Sequence, residues 1–266
     1  MTTTPGRTAL ITGASSGIGA ALARCFAATG HRLVLVARSA DKLRELADEL
    51  AAAYSVKVWV EPADLAEAGA ARRLASTLRR RRIDVDVLVN NAGVLEQGPF
   101  SAMKAERHQQ MIALNVAGLT AMLAEFVPAM RTRGFGRVLN VASIAAFQPV
   151  PTLATYAATK AYVLSLTESL AEELADSGVT VTALCPGITA TGMLSSATRA
   201  NKRLGKLPGF LVGDVDEVAA AGYEACMRGK VIEVPGAVNL AATLAARATP
   251  KWLLRRVAGT VTRKAL

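Results

Sequence analysis

Histidine and cysteine are scarce in this chain of 266 residues: there are two of the first, His31 and His108, and three of the second, Cys25, Cys185 and Cys226. Three cysteines cannot complete a set of disulfides, and none sits at a paired metal-ligand spacing. Two histidines leave little material for a zinc site or a Ser-His-Asp relay. The expectation is a protein of a reducing, intracellular compartment that binds no metal. Long apolar runs are missing too. No uninterrupted stretch of about 18 to 20 apolar residues marks a membrane span. Met1 to Arg7 carries neither the basic nor the hydrophobic part of a secretory signal, so the cytoplasm is the expected location. There is no internal repeat and no low-complexity linker, and 52% of the residues are hydrophobic, which predicts one well-buried domain.

Acidic residues are absent from Leu240 onward, where the charged residues are Arg247, Lys251, Arg255, Arg256, Arg263 and Lys264. This tail supplies more than half of the formal net charge of +10. A basic balance concentrated in a tail argues against a nucleic-acid-binding body. The run Arg79 to Arg82 closes a helical pattern, where cations complement the helix dipole and stay solvated.

What the chain does contain is alternation. Short Val- and Leu-rich runs fall at Thr8 to Ile11, Leu33 to Ala37, Val56 to Val60, Val85 to Val89, Arg137 to Val141, Thr180 to Leu184 and Val231 to Val234. Helical patterns lie between them at Ile18 to Thr29, Asp41 to Ala52, Ala66 to Arg80, Ala102 to Met130, Ala154 to Asp176 and Asp216 to Arg228. Continuously apolar strands joined by helix-length crossovers predict an α/β fold, a doubly wound, Rossmann-like parallel sheet of about seven strands with helices on both faces. The pattern from Ala102 to Met130 is long enough to contain a bend, and Asp214 with Glu217 forms a capping-box signature. The Gly- and Pro-bearing segment Ile188 to Val212 lacks a strand pattern and is expected to be a substrate lid or a surface connection.

The first strand runs directly into Thr12-Gly13-Ala14-Ser15-Ser16-Gly17-Ile18-Gly19. Glycines at 13, 17 and 19 let backbone approach a ligand, and the helix that follows presents unpaired N–H groups to a pyrophosphate. The spacing is neither a Walker loop, which would end in Gly-Lys-Ser/Thr, nor Gly-x-Gly-x-x-Gly. The second strand ends in Arg38-Ser39. An acid at this edge receives the ribose diol of NAD, whereas an arginine pairs with the 2′-phosphate of NADP, and Ser39 can add a hydrogen bond. Asp41, close by, suits the next helix N-terminus.

Tyr156 and Lys160 are four residues apart on a helical pattern and so face one site. A phenol has an ordinary pKa of about 10, and a neighbouring ammonium makes its ionisation easier. An i,i+4 Tyr-Lys pair is a common surface contact, but Ser143 follows the fifth strand and the phosphate cradle begins the same domain. Their joint placement at successive C-terminal strand ends fits a single crevice.

Taken in order, the cradle, Asn90-Asn91-Ala92-Gly93, Asn115, Ser143, Tyr156-Ala157-Ala158-Thr159-Lys160 and Pro186-Gly187-Ile188-Thr189-Ala190-Thr191 resemble the short-chain dehydrogenase/reductase family in its NADP-preferring form with a Thr-Gly-x-x-x-Gly-x-Gly motif. The resemblance covers Arg7 to about Asn239. It implies that Tyr156 exchanges a proton with the substrate oxygen, Ser143 orients that oxygen, Lys160 binds the nicotinamide ribose and tunes Tyr156, and Asn115 holds a relay water through the local helix backbone. It further implies a cofactor site built from Gly13, Ser15, Ser16, Gly17, Ile18, Gly19, Arg38, Ser39, Asp64 near adenine, Asn90, Ala92, Gly93, Tyr156, Lys160, Pro186, Gly187, Ile188 and Thr191, the last holding the carboxamide. NADP(H) is the implied cofactor, a homodimer or homotetramer the implied assembly, and hydride transfer to or from a carbonyl or alcohol the implied reaction, with no metal needed. The alternative in another class is a noncatalytic NADP-binding regulatory protein. The two histidines are expected to be structural.

The residues Ile144 to Thr155, with Met193, Leu194, Leu207, Phe210 and Leu211, predict a mostly apolar cleft for a steroid, a lipid-like ketone or a small apolar ketone, or else packing of a lid or oligomer interface. Residues 1–239 are expected to form the catalytic domain and 240–266 a basic amphipathic extension. In that extension Leu253, Val257 and Val261 recur at helical spacing beside Trp252 and Leu254, after a helix-starting Pro250. Contact with an anionic membrane face, cover over the cleft, or docking on another subunit all fit this pattern.

Overall fold

Seven apolar runs become seven strands of one sheet, the five central ones with Val, Leu and Ile side chains buried on both faces and the two edge ones half-buried. They are β1 (Thr8–Thr12), β2 (Arg32–Ala37), β3 (Val58–Pro62), β4 (Val87–Asn90), β5 (Gly136–Val141), β6 (Val179–Leu184) and β7 (Ile232–Glu233). The computed structural model describes residues 6–189, 213–250, 252, 254–256 and 259. Every pairing is parallel and the order is β3-β2-β1-β4-β5-β6-β7. The winding direction reverses between β1 and β4, which opens a crevice at the carboxyl ends of the central strands.

Alternate residues of each strand feed two cores. Leu10, Val34, Leu88, Val138 and Val181 pack on one face with α3 (Ala70–Arg80), α5 (Leu119–Arg133) and α6 (Ala154–Glu173). Ile11, Leu33, Leu35, Val89 and Leu139 pack on the other with α1 (Gly17–Ala28), α2 (Ala40–Tyr54) and α7 (Val215–Arg228). Each such fully buried aliphatic side chain stabilises the fold by roughly 1.5–3 kcal/mol before entropy is counted. His31 belongs to this structural category: it is fully buried, edge-on to Phe26 and bonded to the Thr29 hydroxyl at 3.0 Å. His108 bonds the Thr155 hydroxyl at 2.7 Å.

The expected bend in the long helical pattern is a π turn. α4 (Ala105–Ile112) passes through Ala113–Gly118 into α5. The whole stretch Ala105–Arg133 is long and apolar enough to cross a membrane by composition, yet its Met111, Asn115, Leu119, Met122 and Met130 are buried against the domain. The third helix starts at Ala70 rather than Ala66, because Asp64 accepts the Ala66 N–H at 3.0 Å and Gly69 takes a left-handed φ of 76°, closing a turn before the helix can begin. Asp214 caps α7 as expected, accepting the N–H groups of Asp216 at 2.8 Å and Glu217 at 3.0 Å. One helix was not anticipated: α8 (Ala237–Ala248), whose alanine content favours helix strongly, runs across the expected boundary at residue 239. Of the expected lid, only Ile188 and Thr189 at its start lie within the described residues. Thr189 bridges to Gly213 and Gly213 donates to the Ile188 carbonyl at 2.8 Å, so the two flanks of the segment are tied together.

Candidate active site

A cavity of about 730 Å³ occupies the crevice. Every strand from β1 to β6 contributes to it through the residues that follow its C-terminal end: Gly13 and Ser15 to Ile18, Arg38, Asp64, Ala92 and Gly93, Ser143, and Pro186 to Thr189.

The cradle is shaped by close packing. Gly13 has φ 65°, and a Cβ there would lie 2.7 Å from the Asn91 amide and 2.9 Å from the Ala92 Cα, so only glycine fits. Gly19 does not line the cavity; a side chain on it would collide with the Gly13 carbonyl, and its role is to let α1 approach β1. Ser16 precedes α1 and its side chain makes no capping bond, which leaves the helix N–H donors facing the cavity with Ser15, Ser16, Gly17 and Ile18. An uncapped, glycine-lined helix N-terminus is suited to a pyrophosphate. Thr12 and Asn91 hold the cradle in place. The Thr12 hydroxyl accepts from the backbone of Asn91 and Ala92, each at 3.0 Å, and the Asn91 amide donates to the Thr12 and Gly13 carbonyls at 3.0 and 3.2 Å.

Asn91, rather than Asn90, is therefore the asparagine of the Asn-Asn-Ala-Gly run that touches the cavity, with Ala92 and Gly93 beside it. Asn90 turns into the protein: its amide donates to Asn140 at 2.9 Å, which donates to Thr167 at 2.9 Å. That buried chain ties β4 to β5 and α6, so Asn90 steadies the site from below. Sequence spacing cannot separate two adjacent asparagines, because the strand end decides which one points inward.

Arg38 and Asp64 stand together at the β2 and β3 ends, 4.0 Å apart, with the arginine side chain 64% exposed. Ser39 makes no capping bond to α2 and lines the same region with Lys42. Lys42 went unremarked in the sequence, where a lysine in a first helical turn reads as solvent-facing.

Tyr156 and Lys160 lie on the first turns of α6 and both are buried. The Lys160 ammonium is 5.7 Å from the Tyr156 ring centre and donates to the Val141 carbonyl at 2.7 Å. Burial pushes the Tyr156 phenol up to about 12, with a hydrogen bond from Ser143 opposing the rise. Burial pulls Lys160 down to about 8. Its neighbour Cys185 is itself pushed up by burial to about 12, so it stays a neutral thiol and provides no counter-anion. At neutral pH the chain thus presents a protonated phenol beside an ammonium close to its own titration point, the state required to give a proton to a carbonyl oxygen. Ser143 caps the short 3₁₀ turn Ile144–Phe147, accepting from Ala145 N–H at 3.2 Å, which fixes the hydroxyl toward Tyr156.

Asn115, in the π turn, is almost fully buried. Its carbonyl oxygen accepts Val94 N–H at 2.9 Å, and its amide donates to the Val94 carbonyl at 2.9 Å and to Thr159 at 3.1 Å. The side chain is committed to joining the loop after β4 to α6, so any relay water must be held by backbone that the π register frees. Asn115→Leu, similar in volume, leaves both Val94 groups unpaired; it is expected to cost about 1–3 kcal/mol of stability and to slow turnover, as read by denaturant unfolding and steady-state rates. A variant as stable as the parent would show that the Val94 bonds carry no weight. Thr191 lies outside the described residues.

Comparison with known proteins agrees with this geometry. The short chain dehydrogenase family model matches residues 7–202. A D-beta-hydroxybutyrate dehydrogenase of Rhizobium meliloti is 35% identical over 71% of this chain and 73% of its own. A short-chain dehydrogenase from Sphingobium yanoikuyae, solved in complex with NADPH, superposes with a TM-score of 0.79 at 36% identity, covering 91% of this chain and 93% of that one. A bulky-bulky ketone specific alcohol dehydrogenase from Comamonas testosteroni superposes at 0.77 with 33% identity, covering 92% and 93%. Further solved relatives at 28–33% identity also hold NADP or NADPH. The chain belongs to the short-chain dehydrogenase family and is an NADP(H)-dependent dehydrogenase/reductase.

Proposed function

We propose that this oxidoreductase of carbonyl and alcohol substrates works on apolar or lipid-like molecules, prefers NADP(H) to NAD(H), and uses Tyr156 as its proton donor in reduction. The observation that carries the substrate reading is the distribution of charge in the cavity. Among the described lining residues, Arg38, Lys42 and Asp64 gather at the β2 and β3 end, and Lys160 is the one charged side chain beside Ser143 and Tyr156. The wall there is made by Val94, Leu95, Ile144, Val150, Leu153 and Ile188, with Gln97 and Gln148 as its neutral polar groups. Such a wall favours apolar surface and, among the described residues, offers an anionic substrate no second cation.

In this reading the cradle of Gly13 to Gly19 takes the pyrophosphate, and Arg38 and Ser39 the 2′-phosphate. Asp64 lies at adenine, Ala92 and Gly93 line the ribose region above Asn90, and Pro186, Gly187, Ile188 and Thr191 meet the carboxamide. When bound, the cofactor supplies the hydride. Ser143 orients the substrate oxygen, Tyr156 protonates it, Lys160 holds the ribose and eases loss of the phenolic proton, and backbone near Asn115 connects the pair to water. A panel pairing apolar ketones with keto acids of matched length tests the substrate class. The ketones should lead by about 10²-fold in kcat/KM, since a carboxylate in this wall would be desolvated without a partner. A keto acid that matched or exceeded its ketone would overturn the assignment, and NADPH binding without turnover on any carbonyl would favour a regulatory protein.

The same reading includes a homodimer or homotetramer, supported by family membership and by Ile112 and Tyr162, which stand 41% and 39% exposed on α4 and α6. A cytoplasmic compartment is supported by three cysteines that are all free.

A further inference from the structure

Two loops wall the cavity beside Ser143 and Tyr156. The one that follows β4 contributes Val94, Leu95 and Gln97, and the one between Ser143 and Tyr156 contributes Gln148, Val150 and Leu153. Backbone ties them to each other. Gly98 N–H donates to the Thr152 carbonyl at 2.9 Å, and Leu153 N–H closes a turn on the Val150 carbonyl at 3.0 Å. Pro151 is second in that turn and Thr152 third, with φ 68°, a place that ordinarily takes glycine because a β-branched side chain is strained there. Strain of this kind persists where the surroundings fix it, and it gathers at sites that grip a ligand. The helix α4 holds both loops from outside: His108 bonds the Thr155 hydroxyl at 2.7 Å, and its ring centre lies 4.4 Å from that of Phe100.

On this clasped wall the polar side chains past Ser143 are glutamines. Glu96, the acidic neighbour of Gln97, pairs with Arg107 at 3.4 Å and does not line the cavity. Gln97 is half-buried and Gln148 exposed, and among the described residues neither side-chain amide has a hydrogen-bond partner. Gln97 adjoins the tied residue Gly98, and Gln148 stands on the same loop as Thr152, so the tie draws the two amides to one stretch of wall. Gln148 ends the 3₁₀ turn Ile144–Phe147 that Ser143 begins. At a rise of about 2 Å per residue, that turn carries its backbone on the order of 10 Å beyond the serine. A glutamine so placed addresses a part of the substrate other than the reacting oxygen.

We propose that Gln97 and Gln148 form a second substrate subsite, which takes a neutral hydroxyl carried by the apolar substrate away from the carbonyl that is reduced. A hydroxyl suits two amides because it donates to the oxygen of one and accepts from the N–H of the other. A carboxylate also accepts N–H, but Lys160, the one cation near this wall among the described residues, is engaged with the Val141 carbonyl, so the cost of desolvating the charge is not repaid. A plain hydrocarbon covers the amides and leaves them unpaired. The proposal rests on the apolar reading of the cavity and narrows it to hydroxylated apolar ketones.

The test is a series of apolar ketones of one chain length: unsubstituted, with a hydroxyl moved stepwise along the chain, and with a terminal carboxylate. In the parent, one hydroxyl position should raise kcat/KM at least ~10-fold over the plain ketone, mostly through KM, as two neutral hydrogen bonds in a half-open site allow. Gln97→Leu and Gln148→Leu should each cut that ratio about threefold, and the double variant should bring it to about one. Because the ratio compares two substrates on the same preparation, a partly unfolded variant leaves it unaltered. A hydroxyl that confers no gain at any position, with the plain ketone still ahead of the keto acid, would overturn the subsite and leave the apolar reading standing. So would a gain that survives the double variant. A keto acid ahead of both kinds of ketone would overturn that reading and the subsite together.

Discussion

Tyr156→Phe is expected to lower turnover by about 10²–10⁴-fold while leaving NADPH affinity within a few-fold of the parent. The variant removes one oxygen from a side chain that is only 8% exposed, so the ring remains and packing around Met111, Ala145 and Ala157 is retained. What is lost is the group proposed as proton donor, and among the described residues next to Ser143 none replaces it, because Lys160 is engaged with the Val141 carbonyl and Cys185 is a buried, neutral thiol. The pH profile gives a second reading of the same group. With the phenol pushed up to about 12, the protonated form dominates across the neutral range, so carbonyl reduction should not require high pH. With Tyr156 as the proposed base, alcohol oxidation draws on the phenolate, and its rate should climb as pH rises from 6 toward 9, with Lys160, near 8, assisting in its charged form at the lower end. Steady-state rates in both directions across that range, with NADPH binding followed by fluorescence, check both statements. Normal turnover in Tyr156→Phe would remove this residue from the chemistry.

The fold was legible because burial on both faces leaves a plain mark. β1 and β4, buried along their whole length, are apolar through Ala9 to Ile11 and Val87 to Val89, and crossovers of helical length then leave few topologies open. The site was legible where a residue acts through its own backbone or its own helix: the turn at Gly13 and the i,i+4 pair Tyr156 and Lys160. It was obscure where tertiary direction decides. Asn90 and Asn91 are adjacent, and only the end of β4 determines that one supports the sheet while the other braces the cradle. Asn115 in the sequence is one of several polar residues in a long helical pattern; its bonds to Val94 and Thr159 arise from the π turn, for which Ala113 to Gly118 carries no recognisable local code. The helix across residue 239 was hidden by a boundary drawn where the family resemblance ends, although its alanines favour helix.

The remaining large effect concerns which nicotinamide cofactor the enzyme takes. Arg38→Asp should lower kcat/KM for NADPH by about 10²–10³-fold and leave that for NADH equal or higher, inverting the preference. Two losses add. An arginine opposite a phosphate makes charge-assisted hydrogen bonds worth about 1.5–3 kcal/mol each, and a carboxylate at position 38 sets like charge against the phosphate while offering acceptors to a free ribose diol. Asp64, whose carboxylate lies 4.0 Å from Arg38, would then face a second acid across the same cleft, so the repulsion of phosphate would be stronger than from one new charge. Lys42 supplies a graded control: it lines this end of the cavity but carries a single, flexible point charge, and Lys42→Ala should cost NADPH only about 3–10-fold with a loss that shrinks as salt is raised. Measurement of kcat/KM for both cofactors at two ionic strengths separates the contributions. An unchanged cofactor ratio in Arg38→Asp would mean that the 2′-phosphate is read somewhere other than the end of β2.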